Sequence, residues 1–310
     1  VLWLNPARRI NRQAGDMAHA HSHNGQRGLY LAAGITLAYA AIEAVVGWWA
    51  NSLALMSDAG HMLADTSALL IAALGAWLAQ RAPTPLHSYG LGRAEFVAAL
   101  INGLLMLGVV SLIAIHAVER LHQPLAVRGE AVSMVAFFGL VLNVLVLYLL
   151  GHATEDLNRR AAALHVLSDL LASIAALLSG LVIVFTGWTL VDPLLSLLIV
   201  VFILYSALRL LREALHGLME GVPLGLSLSA IGNEMAARPG VQSVHDLHVW
   251  SLSSQRRALS AHVVLEDLNR WESILDDLRG LLRKRYGIDH VTLQPETTLH
   301  VLTFERRQRG

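Results

Sequence analysis

Apolar residues along this chain gather into six long runs, at roughly 29–50, 54–79, 94–118, 130–151, 161–186 and 189–211. Each approaches or exceeds the ~20 residues with which a helix spans the hydrocarbon core of a bilayer. Gly, Pro and polar clusters separate them, at Asn51-Ser52, RAPTPLHSYGLG, LHQPLAVRG, GHATEDLNRR and Thr186-Gly187-Trp188. From about Leu224 the pattern becomes that of a soluble domain. An amphipathic helix near 226–238 is followed by the β-rich runs VQSVHDLHVWSLS and RRALSAHVVLE. Next come a helix with Trp271, Ile274, Leu275, Leu278, Leu281 and Leu282 on one face and a last strand in IDHVTLQPE. The order αββαβ fits a small α+β, ferredoxin-like domain with its helices on one side of a sheet. The expected fold is therefore a membrane all-α bundle of six transmembrane helices over 28–215, then a cytoplasmic α+β domain over 216–300. A His-containing tail over 1–27 and a short tail over 301–310 flank them. About 80 residues make a thin core, so the soluble domain is expected to dock on a second copy as a homodimer.

Composition agrees with burial in lipid: 55% of the 310 residues are hydrophobic and 15% charged, and the mean hydropathy is +0.53. The formal net charge is zero and the basic residues are scattered, so nothing marks a nucleic-acid surface. There is no cysteine, which removes disulfides and thiolate metal sites and leaves His, Asp, Glu, backbone or water as ligands. Arg8, Arg9, Arg12, Arg27, Arg81, Arg93, Arg159, Arg160, Arg209 and Arg212 flank helix ends that share one side, whereas Arg120 and Arg128 flank the other. The positive-inside rule then puts both termini in the cytoplasm, and a bacterial inner membrane is the expected location. The stretch VLWLNPARRINRQAGD lacks an apolar run long enough for a signal peptide. No cleaved export signal is expected, and Met17 is expected to be the natural start.

Within the apolar runs lie four residues with metal-ligand chemistry. Asp65 follows His61 by four positions in SDAGHMLAD, and Asp169 follows His165 by four in HVLSDLLAS. On a helix such residues share a face, so each pair aims one imidazole and one carboxylate at the same spot. Two such helices brought together supply the tetrahedral nitrogen and oxygen set that suits zinc. Ionisable groups at membrane depth are costly and mark ion paths. A lone membrane His is more often a hydrogen-bonded packing residue, but two identical pairs invert that, because a divalent ion neutralises both carboxylates. Asp58, one turn from His61, is either a relay for protons or the departing ion, or a helix N-cap. Asp192, just before Pro193, is expected to cap its own helix. Glu43, Asn102 and Asn143 are expected to be interhelical hydrogen-bonding groups. In the soluble domain, alternation along a strand keeps His245 and His248 apart unless the strand bulges, and His262 sits on the neighbouring strand. The run His19, His21, His23 is a compositional hint of a metal-attracting tail.

NSLALMSDAGHMLAD, HSYGLGRAEF, LNRRAAALHVLSDLLAS, GWTLVDPLLS, VHDLHVWSLSSQRRALSAHVVLE and VTLQPE together resemble the cation diffusion facilitators, over about Gly28 to Glu296. These are zinc/proton antiporters with six transmembrane helices and a cytoplasmic metallochaperone-like domain. The resemblance implies a homodimer that exports metal by alternating access, with His61, Asp65, His165 and Asp169 as the transport site. It implies metal ligands at His245 and His262 in the cytoplasmic domain, and an acid at Glu296 as in a vesicular zinc-transporter branch. In that branch an amino-terminal His completes the site, a part open to His19, His21 or His23. A further loop site of some members would fall on Thr84, His87 and Leu91, where only His87 keeps a ligand, and Leu293 and Pro295 replace the terminal-strand His and Asp of other relatives. A charged lock at one relative's dimer interface maps to Arg93 and Glu220.

The function expected is export of Zn²⁺, with Cd²⁺ and Co²⁺ as further candidates, against an inward flow of protons. Protonation removes the ligands that bind metal, so the two compete for one tetrad, and His, with an unperturbed pKa near 6.5, allows a mildly acid exterior to tip release. The alternatives are an intramembrane zinc metalloenzyme and a membrane metal sensor. Four protein ligands would close a catalytic zinc, no His-Glu-x-x-His helix is present, and no signalling output module accompanies the membrane part.

Overall fold

The computed structural model describes residues 34–150 and 157–297, and does not describe the side chains of 146, 147, 149, 150 and 157–168. Alanine- and leucine-rich runs without interior proline form α1 (Gly34–Ala50), α2 (Leu53–Ala79), α3 (Ala94–His122), α4 (Gly129–Leu150), α5 (Leu157–Thr186) and α6 (Val191–Leu218). Pro193 lies in the first turn of α6, where no intrahelical N–H is needed. Four segments are long and apolar enough to cross a membrane: Leu53–Ala79, Ala94–His122, Asp169–Thr186 and Val191–Leu218. Gly34–Ala50 and Gly129–Leu145 are shorter apolar helices. Large apolar side chains such as Val45, Leu70, Tyr205 and Phe185 stay two-thirds or more exposed, as lipid-facing groups would. The packing between helices uses small residues, among them Ala50, Ala54, Ala136 and Ala176. A methyl group on Gly180 would meet Ser133 of α4, so α4 and α5 approach closely there.

The described residues form two compact units, 34–70 with 102–208, and 71–101 with 209–297. In the second unit α7 (Leu228–Ala236), β1 (Val241–Ser251), β2 (Arg257–Leu265), α8 (Trp271–Tyr286) and β3 (His290–Thr297) follow in that order. The sheet order is β1-β2-β3, with β1 antiparallel and β3 parallel to β2. α8 buries Ile274, Leu278, Leu281 and Leu282 against Val249, Leu259, Val263 and Leu265 of the strands and Ile231 and Met235 of α7. It ends where Gly287 adopts φ 62° and its N–H returns to the last carbonyls, the left-handed stop that favours glycine. The α2–α3 connection belongs to this unit. Ser254 N donates to Glu95 Oε2 at 2.7 Å, and the Tyr89 and His290 rings meet edge to face at 5.5 Å. Arg93 pairs with Glu220 at 2.5 Å, the two residues onto which the resemblance maps a charged lock.

Candidate metal sites

His61 lies on the third turn of α2, and α5 brings Asp169 against it. Nδ1 is 3.4 Å from Asp65 Oδ2 and Nε2 is 3.6 Å from Asp169 Oδ1. Side-chain exposures of His61, Asp65 and Asp169 are 10%, 22% and 12%, and their ligand atoms lie within 4.8 Å of one another. Tetrahedral ligands held at ~2.1 Å from zinc stand about 3.4 Å apart, so this spacing suits atoms ringed round one ion. His165 lies one turn before Asp169 on α5, with its side chain outside the described residues. The structure thus brings together three of the four expected residues.

Two further polar layers follow along the same helices. Ser173 Oγ donates to Asp58 Oδ2 at 3.3 Å, and Asn143 Nδ2 of α4 donates to Ser173 Oγ at 3.1 Å. Beyond them, Asp192 of α6 contacts Ser52 and Leu53 at the start of α2 and Ser179 of α5. Positions fall along α2 as they rise along α5, so the two helices are antiparallel. Asp58 is 1% exposed, inside a helix that begins at Leu53, which overturns its reading as an N-cap. Asp192 does cap, but it caps α2 and not its own α6. Asn143 makes the interhelical bond expected of it. Asn102 instead turns its amide to Met106 on its own helix, and neither carboxylate oxygen of the fully buried Glu43 has a hydrogen-bond partner among the described residues.

On the sheet, His245 lies directly opposite His262, and their ring centres are 5.2 Å apart. Glu296 on β3 stands two positions beyond the partner of His262, on the same face. Its carboxylate spans both rings, with Oε2 at 2.8 Å from His245 Nε2 and Oε1 at 2.7 Å from His262 Nδ1. The hydrogen bond from His245, then that from His262, holds the Glu296 carboxyl below the usual carboxylate range. The strand bulges between His245 and His248, with Asp246 at φ 49°. The bulge turns Asp246 towards both neighbours: Oδ1 is 2.9 Å from His248 Nε2 and Oδ2 is 3.7 Å from His262 Nε2. The His248 hydrogen bond keeps the Asp246 carboxyl low. Sequence reasoning missed Asp246, although the three-residue spacing of His245 and His248 was the available hint. Thr84 and His87 close a tight turn on each other. His19, His21 and His23 lie outside the described residues.

Apolar helices around a buried imidazole and carboxylate cluster, joined in sequence to a small α+β domain, define a membrane protein built to handle cations. Residues 29–219 match the cation efflux transmembrane domain and residues 223–298 the cytoplasmic domain of cation efflux proteins. The chain belongs to the cation efflux family, as an integral membrane transporter and not an enzyme. It is 39% identical over 291 residues to the zinc transporter ZitB of Escherichia coli (strain K12), a match covering 90% of this chain and 93% of that one. A cadmium, cobalt and zinc/H(+)-K(+) antiporter of Bacillus subtilis (strain 168) is 37% identical over 291 residues, 92% of this chain and 93% of its own. The solved metal-bound C-terminal domain of the CzcD transporter from Cupriavidus metallidurans is 38% identical, covering 23% of this chain and 99% of its own, with a TM-score of 0.22.

Proposed function

We propose that this chain exports Zn²⁺ from the cytoplasm in exchange for protons, with Cd²⁺ and Co²⁺ as competing substrates. The observation that carries this reading is the His61 ring held between Asp65 and Asp169 at 3.4 and 3.6 Å in a nearly closed setting. His165, one turn from Asp169, completes a tetrahedral set, and the relatives named for zinc, cadmium and cobalt support the choice of ions. Neutral imidazole and ionised carboxylate take the ion, while protons entering from the other side discharge the ligands and release it. Alternating access would expose the cluster to each side in turn. Six spans over 28–215 carry it in a bacterial inner membrane, with both termini in the cytoplasm, and a homodimer joins through the domain at 216–300. In that domain His245, His262 and Glu296 would bind zinc when it is plentiful, with a ligand from His19, His21 or His23, and favour the transporting dimer.

The test is flux in proteoliposomes, with Zn²⁺, Cd²⁺ and Co²⁺ each offered under an imposed pH gradient. Zinc uptake should rise with the gradient and proton movement should reverse with it. Zinc flux indifferent to the gradient would remove proton coupling, and no flux of any of the three would remove the assignment of substrate.

A further inference from the structure

Asp192 is fully buried in the first turn of α6, yet the described bonds of its carboxylate all go outside α6. Oδ2 accepts from Leu53 N at 2.6 Å, and Oδ1 accepts from Ser52 Oγ at 2.6 Å, Ser179 Oγ at 3.2 Å and Ala54 N at 3.4 Å. The first N–H groups of a helix have no partner within it. Those of α2 are answered by Asp192 at Leu53 and Ala54 and by Ser52 Oγ, which accepts from Leu55 N at 3.3 Å. Ser196 Oγ, one turn along α6, donates to the Asp192 carbonyl at 2.7 Å. Arg120 of α3 donates to Asn51 O in the α1–α2 turn. That turn is further held where Arg128 N donates to Ala50 O at 3.0 Å. One carboxylate therefore fastens the start of α2 to the body of α5, the two helices whose other layers carry His61 and Asp169.

We propose that Asp192 is a positioning residue: it fixes the axial register of α2 against α5 and so sets the size of the metal cluster and its preference among divalent ions. This rests on the reading of His61, Asp65 and Asp169 as metal ligands. From Leu53 to His61 the helix rises about 12 Å, and from Asp169 to Ser179 about 15 Å, at ~1.5 Å per residue. Helices transmit axial displacement over such lengths with little loss. A slide of α2 along α5 would change the His61–Asp169 separation directly while leaving the His61–Asp65 spacing, internal to α2, as it is. Zinc, with its shorter ligand bonds, tolerates widening less well than cadmium.

The experiment uses the full chain in detergent and in proteoliposomes, comparing wild type, Asp192→Asn, Ser179→Ala and Asp169→Ala. Asp192→Asn keeps the shape but turns one acceptor into a donor, which then faces either an amide N–H or the serine hydroxyls. Zinc affinity of the membrane cluster should fall about tenfold, the scale seen when groups behind metal ligands are altered, with cadmium affected less and KM rising more than kcat falls. Ser179→Ala frees only the α5 arm and should move the zinc-to-cadmium ratio the same way by a smaller factor. It also decides the matter alone if Asp192→Asn does not fold. An unchanged zinc-to-cadmium ratio and KM in a folded variant, even one with a lower Tm, would make Asp192 a helix cap and nothing more. If Asp169→Ala keeps wild-type zinc affinity at the membrane cluster, the ligand reading fails first and the proposal falls with it, a result distinct from an unchanged ratio in the Asp192 variant.

Discussion

Among the described residues stand two clusters of imidazole and carboxylate, and they are held in opposite ways. In the helical unit His61 stands 3.4 and 3.6 Å from its two carboxylates, behind walls that leave it 10% exposed. On the sheet Glu296 grips His245 and His262 at 2.8 and 2.7 Å, with the two rings 52% and 31% exposed. The first spacing matches ligands round an ion, about 3.4 Å, whereas the second is that of hydrogen bonds. Side chains fixed by close helix packing keep their separations, since moving them would strain the surrounding helices. A solvated sheet face lets side chains collapse onto each other, so an ion must displace two hydrogen bonds to enter.

The largest effect expected of any single change is at Asp169. Asp169→Ala removes a candidate ligand and half of the described negative charge facing His61, and zinc flux in proteoliposomes should fall below about a tenth of wild type. Flux above that level would mean that the two clusters do not differ in the way their geometry implies. Next comes His61→Asp, which exchanges a borderline nitrogen for a hard oxygen and should relax selectivity towards Cd²⁺, Mn²⁺ or Co²⁺. Competition among these ions during flux measures it, and a ranking identical to wild type would exclude His61 from selectivity.

Changing His245 and His262 together to Ala should remove about one ion per protomer, leaving the membrane cluster filled and transport reduced only at limiting zinc. Elemental analysis of purified protein decides this, equal zinc content in mutant and wild type being the adverse result. The smallest effect is that of Glu296→Gln on metal-free protein. A carboxyl held low in the folded state stabilises the fold fully above its unfolded value, near 4.3, and that stabilisation is lost as pH falls through the folded value. The variant should therefore unfold at a slightly lower temperature than wild type at pH 7, and the two should converge at acid pH, below the folded value of the carboxyl. Calorimetry that finds the same gap at both pH values would show that the histidine contacts do not depress this carboxyl.

Much of the helical cluster was legible beforehand because its pairing is local. The spacing of His61 and Asp65 places both on one helix face whatever the tertiary fold, and the repeat at His165 and Asp169 says that the faces are meant to meet. The partnership of His245, His262 and Glu296 was harder, since strand register decides it. That register sets His245 opposite His262 and Glu296 two positions past the partner of His262, and none of these offsets is written in local composition. Asp246 escaped because alternation turns it away from its neighbours, and only the bulge at φ 49° brings it back. The capping role of Asp192 was legible in kind but not in object, its partner lying 139 residues away at Leu53.

By itself, then, the sequence determined the helices, their lipid-facing apolar surface, the change to a soluble domain and the chemical identity of the candidate ligands. These follow from side-chain hydropathy and from periods of a few residues, which act along the chain before any packing occurs. Only the tertiary structure decided that α2 and α5 run antiparallel with Asp169 against His61, that a carboxylate from α6 bonds to both, and that a bulge carries Asp246 to His262. Each of those depends on contacts between residues far apart in the chain, where the energy comes from satisfying buried donors and acceptors that no local pattern identifies.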